Sequence, residues 1–161
     1  MAPTVYETYT AALTQLDGLT AHEVLDKLLH TYHVDTSLTA ALLRARPADV
    51  HSWKRENAPI GSANLTNLYE LLALSTVLTD VGVDNIEMWV NTPLVDGYKV
   101  KPRNLYNTET TEMLLDYADG VISAEELLDV VDDTWRDDTG RVYYTVHAEN
   151  RQPTLTFLNL G

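Results

Sequence analysis

Residues Trp89 to Tyr106, WVNTPLVDGYKVKPRNLY, decide how this chain is read. Trp89, Pro93, Gly97 and Pro102 interrupt the stretch at close intervals, so no single helix or strand runs through it. Ile86, Met88, Trp89 and Val90 read as an apolar helix end that runs into Thr92-Pro93. A compact loop around Gly97 follows. Pro102 suits the first turn of a short new helix carrying Leu105 and Tyr106. Leu94, Val95, Tyr98 and Val100 are too apolar to be left in water. The stretch therefore reads as the packed corner of a small helical domain.

Upstream of that corner, Leu65, Leu68, Leu71, Leu72, Leu74, Val77, Leu78 and Val81 predict a helix over Ala63–Val81, capped by Ser62 and ended by Gly82. Apolar residues occupy more than one of its faces, so it belongs to the centre of a core. Ser75, Thr76 and Thr79 break any heptad, which argues against a zipper. Asp84-Asn-Ile-Glu87 resembles a capping box and opens the helix that reaches Trp89. Nearer the N-terminus, Val5, Tyr9, Leu13 and Leu16 predict a helix over residues 4–18. Thr20-Ala-His-Glu23 is a capping box for the next one, which turns Val24, Leu25, Leu28, Leu29 and Tyr32 inward. His22, His30 and His33 fall on this helix, but no fitting carboxylate or further ligand accompanies them as a metal site requires. A favourable place in the helix's last turn accounts for His30 and His33.

Between Asp35 and Pro59 the pattern becomes more specific. Asp35 or Thr36 caps a helix through about Ala45. A break at Arg46-Pro47 follows, then a second helix from Pro47 to about Asn57 with Val50 and Trp53 on its inner face. Ala40 permits close helix approach. The layout is that of a helix-turn-helix, and its spacing resembles Xre-type, phage-repressor-like domains, in which the second helix enters the major groove. Arg44 and Arg46 flank the turn where such domains often place a glycine. His51 and Ser52 are the candidates for base edges, and Arg44, Arg46, Lys54 and Arg55 for phosphates. The competing reading is a helical hairpin that merely packs.

Downstream, a helix is expected over Thr108–Ala118, closed by Gly120. Another opens at Ser123-Ala-Glu-Glu126 and carries Leu127, Leu128, Val130, Val131 and Trp135. RVYYTVHA, Arg141–Ala148, alternates as a half-buried strand does, and Pro153–Leu160 reads as its hairpin partner. Two strands alone are marginal, so the hairpin needs helices, a second copy or a partner to pack on.

The totals narrow the class. The chain has 161 residues, 45% of them apolar, enough for a real core. No run of about 18 apolar residues predicts a membrane span. The N-terminus lacks the basic flank and apolar block of a secretory signal. With no cysteine, disulfides and thiolate metal sites are excluded. A cytoplasmic protein without cofactors is the simplest expectation. A formal charge of −13 argues against nucleic-acid binding by the whole surface. The charge is unevenly spread. Eleven carboxylates and one base lie between Glu109 and Asp138, whereas four bases and one carboxylate lie between Arg44 and Arg55. Lys99, Lys101 and Arg103 form a third cluster. No glycine-rich phosphate loop, Gly-x-Ser-x-Gly or cysteine nucleophile is present, so no enzyme is expected.

Trp89, Thr92, Pro93, Gly97, Pro102, Leu105, Leu114, Leu115 and Gly120, in that order after a helix-turn-helix, resemble the toxin-binding domain of Xre/MbcA/ParS-like antitoxins. The family's loop usually has paired glycines where this chain has Asp96-Gly97-Tyr98. The resemblance spans about Leu65 to Gly120. It implies an antitoxin that neutralises a partner toxin, often a RES-type toxin that consumes NAD. It further implies repression of its own operon through the helix-turn-helix, and oligomerisation, here expected as a dimer.

The expected fold is therefore mainly α: a helix-turn-helix bundle over residues 1–61, a small helical domain over 62–120, and an acidic helix with a C-terminal β-hairpin over 121–161. The expected partners are operator DNA, met by Arg44, Arg46, His51, Ser52, Lys54 and Arg55, and a cognate toxin, met by Trp89, Tyr98, Tyr144 and Phe157. The alternative function is a protein-interaction module that keeps the helix-turn-helix shape without reading DNA.

Overall fold

The structure, a computed structural model, describes residues 3–137 together with the backbone of 143–146 and 153–156. Short polar side chains fix most of the helix starts. Thr4 caps α1 (Val5–Gln15) and Thr20 caps α2 (Ala21–Tyr32), each in a complete capping box with Glu7 and Glu23. Asp35 caps α3 (Thr36–Leu43) by accepting the Leu38 N–H at 2.8 Å. Pro47 is the first residue of α4 (Pro47–Trp53). The long α5 (Ser62–Asp80) starts after Gly61, one residue earlier than its sequence suggests. Asn85, rather than Asp84, caps α6 (Ile86–Asn91). Then follow α7 (Pro102–Leu105), α8 (Thr111–Ala118) and α9 (Ala124–Val131), the last with the Ser123–Glu126 capping box. A 3₁₀ turn, Trp135–Asp137, comes after α9.

The core is organised around α5. Leu68, Leu71, Leu72, Ala73, Leu74, Val77 and Leu78 are all buried along it, and α1, α2, α6 and α8 pack against it. Each buried leucine removes apolar surface from water, about 1.5–3 kcal/mol apiece. Ser75 is also fully buried, and its hydroxyl donates to the Leu71 carbonyl at 2.8 Å, so it costs little. A single hydrophobic cluster extends from Val5 to Trp135. The 89–106 corner belongs to it. Leu94, Val100, Pro102 and Tyr106 are buried, the Leu94 N–H meets the Val100 carbonyl at 2.9 Å, and Gly97 takes φ 88° at the loop's tip. Only glycine takes that angle without strain.

The expected fold class needs correction at its C-terminal end. Residues 3–137 contain no strand, their regular elements all being helices, and the hairpin foreseen over Arg141–Ala148 and Pro153–Leu160 is not among the elements of that fold. Among the described residues, strand pairing is confined to backbone segments Tyr143–Val146 and Pro153–Thr156, antiparallel, with Tyr143 opposite Thr156 and Val146 opposite Pro153. Four-residue strands are short for independent stability. The described core closes at Trp135 without them. The other residues of the two expected strands lie outside the described residues. Two smaller differences concern helix ends. The helix expected to reach Asn57 stops at Trp53, and Asn57 itself adopts φ 59°. Trp135 lies beyond α9 rather than on it.

Candidate functional site

The α3–α4 corner forms from local chemistry. After Leu43 the chain enters the left-handed region at Arg44 (φ 55°, ψ 39°), and the Ala45 N–H returns to the Ala40 carbonyl at 2.9 Å. This is a Schellman-type stop with arginine where glycine is usual. The left-handed backbone costs a non-glycine residue about 1–2 kcal/mol. A tertiary contact offsets part of it: the Arg44 guanidinium donates to the Tyr106 carbonyl at 2.8 Å. Arg46 is then extended, and Pro47 starts α4. Val50 is fully buried and Trp53 is 6% exposed, so the inner face of α4 is seated as its sequence requires. His22 fixes the far end, its Nδ1 lying 2.6 Å from the Lys54 carbonyl. A carbonyl only accepts, so Nδ1 carries the proton. This histidine role was missed in the sequence because its partner lies thirty-two positions away.

The six residues expected to meet DNA all fall on this corner and the residues just after α4, but not in equivalent states. Arg46 and His51 are exposed on the outer side, and Arg55 is exposed beyond the helix end. Ser52 and Lys54 are half-buried. Arg44 is exposed as well, with its guanidinium donating to the Tyr106 carbonyl. Arg46 pairs with Asp49 at 3.1 Å through exposed side chains, which also raises the arginine's pKa. Arg55 donates to the Ser52 hydroxyl at 3.0 Å. Exposed pairs of this kind are worth about 0–1 kcal/mol and exchange readily.

The residues expected to face a partner separate into two places. Trp89 lies 6.1 Å from Tyr117, centroid to centroid, in a groove of about 470 Å³ between the α5–α6 turn and α8. Tyr98 instead packs edge-on against Trp135 at 5.0 Å and borders a second groove with Pro93, Lys99, Lys101 and Arg103. Arg103 is held there by Asn91 Oδ1 at 2.6 Å. Only the backbone of Tyr144 is described, and Phe157 lies outside the described residues. Tyr117 was not singled out in the sequence, where it reads as one more apolar position of α8. Its phenol pKa is raised by burial.

The described histidines do not converge. His30 pairs with Asp26 at 3.4 Å, His33 ends α2 in the left-handed region, and His22 serves α4. Among the described residues no three potential metal ligands come together. No helix among them is long and apolar enough to cross a membrane. No family model matches the chain, and no curated protein or solved structure matches it.

Proposed function

We propose that this chain is a DNA-binding, antitoxin-like repressor, acting as a cytoplasmic dimer, whose α3–α4 corner reads operator DNA and whose middle helices bind a partner toxin. The observation that carries the reading is the corner itself: two short helices joined by a tight turn, with Val50 and Trp53 buried and Arg46, His51 and Arg55 outward. That arrangement suits a major-groove reader. The phosphate-facing set is Arg46, Lys54 and Arg55, with His51 and Ser52 toward base edges. Arg44 leaves the set and becomes the anchor between the corner and Tyr106. For the partner, the Trp89 groove offers an aromatic wall on the opposite functional half. The reading needs no catalytic step.

A second reading, an interaction module that does not read DNA, is favoured by a specific observation. Arg44, Arg46 and Arg55 each have partners within the chain. The two readings separate in a binding assay on duplexes taken from upstream of the chain's own gene. The repressor reading expects a shift that Arg55→Ala weakens equally on all sequences, while Ser52→Ala relaxes sequence preference. Absence of any shift at low salt supports the interaction module. The toxin half is tested apart, by copurification with, and rescue from, the product of the adjacent gene.

A further inference from the structure

We propose that the groove between the α5–α6 turn and α8 receives a lysine or arginine side chain from a basic amphipathic segment of the protein partner. This rests on the partner-binding half of the function proposed above and supplies its chemistry. The groove's volume, about 470 Å³, is in the range of sites that hold a ligand group. Its walls bring two π surfaces together, Trp89 and Tyr117, with Val83 and the 64%-exposed Met88 beside them. Ring faces attract cations, and tryptophan does so best. Among the described residues of the lining, Asp84 is the one that is charged. It is exposed, and no described residue bonds to its carboxylate.

The residues next to the lining extend this polarity. Asp80, Glu87, Asp116 and Asp119 each adjoin a lining residue in the chain, whereas among the described residues no lysine or arginine lines the groove. Arg103, which reaches α6 from α7, is held by Asn91. An anionic segment is therefore repelled. A wholly apolar one leaves Asp84 desolvated without a counter-charge. A lysine or arginine satisfies both features at once, with its methylene stem along Met88 and Val83 and its charged head between the rings and Asp84.

The test titrates the full chain with a Leu/Lys peptide patterned as an amphipathic helix, and with its Leu/Glu counterpart. The expected result is saturable binding of the Leu/Lys peptide and none of the Leu/Glu peptide. Asp84→Asn and Trp89→Leu should each weaken binding, together by about tenfold. Glu125→Gln, the same loss of one charge outside the lining, should leave it unchanged. Equal weakening by that control would reduce the effect to bulk charge and overturn the proposal. So would binding of both peptides, or of neither. A dimer that the groove variants dissociate in sedimentation would assign the groove to a second copy instead. If Trp89→Leu does not fold, the exposed Asp84→Asn decides alone. Copurification of the adjacent gene's product separates the two levels. A partner that still binds the groove variants sinks this proposal and spares the partner reading, whereas a partner that never binds the wild type sinks that reading itself.

Discussion

Thr39 lies on the buried side of α3 with no exposed surface, and its Oγ1 has no hydrogen-bond partner among the described residues. A desolvated hydroxyl without a partner is a net cost, and valine has the same shape without it. Thr39→Val is expected to raise unfolding stability by about 1 kcal/mol, read as a higher urea midpoint with an unchanged slope. At the other end of the fold, Asp129 accepts from Trp135 Nε1 and from Arg136, each at 2.8 Å. The bond from Trp135, then that from Arg136, holds its carboxyl below the ordinary value of 3.8. A depressed folded pKa means the contribution is complete above the unfolded value and is lost as pH falls through the folded one. Acidification below about pH 4 is therefore expected to release the Trp135 anchor. Tryptophan fluorescence should report it, and Asp129→Asn should abolish that acid transition. These anchors were invisible in the sequence, where Asp129 was one acid among eleven in its region.

At the scale of elements, the parts set by short-range chemistry were legible. The Thr20 and Ser123 boxes, Asp35, Pro47 and Pro102 mark helix starts because each acts on backbone groups within one turn. The buried faces of α4 and α5 were legible for the same reason, since apolar periodicity is local. Contacts between distant residues were not. Nothing near Arg44 says that its guanidinium will find the Tyr106 carbonyl sixty-two positions on, so it counted as a phosphate ligand. Tyr117 became a groove wall only once α8 lay beside α6. α4 ends at Trp53 with Lys54 as its cap, and Asn57, three residues further on, takes a left-handed angle that asparagine tolerates better than most residues. Arg44→Ala tests the reassigned role. It removes the hydrogen bond while leaving the left-handed backbone strained, and should cost about 1 kcal/mol of stability. The salt slope of DNA binding should stay as in wild type, whereas Arg55→Ala should lower it by about one for each protomer.

For the whole molecule, the proposed DNA reading requires a chain of charge −13 to approach a polyanion. Its charges are segregated along the sequence: bases around α4, acids from Glu109 onward. Within about a Debye length, roughly 8 Å at physiological salt, a duplex at α4 meets the local cations rather than the total. The overall repulsion still slows approach and strengthens the requirement for a matched sequence. The Arg46–Asp49 pair must open for Arg46 to reach phosphate, a small cost for exposed side chains. The most direct test is fluorescence anisotropy of a labelled duplex from upstream of the chain's own gene, titrated at a series of salt concentrations. With Arg46, Lys54 and Arg55 on phosphates, log affinity should fall against log salt with a slope of about −2.7 for each protomer, about −5.4 for the dimer, and an unrelated duplex should compete poorly. No binding at low salt, or equal competition by any duplex, would contradict a base-reading helix-turn-helix.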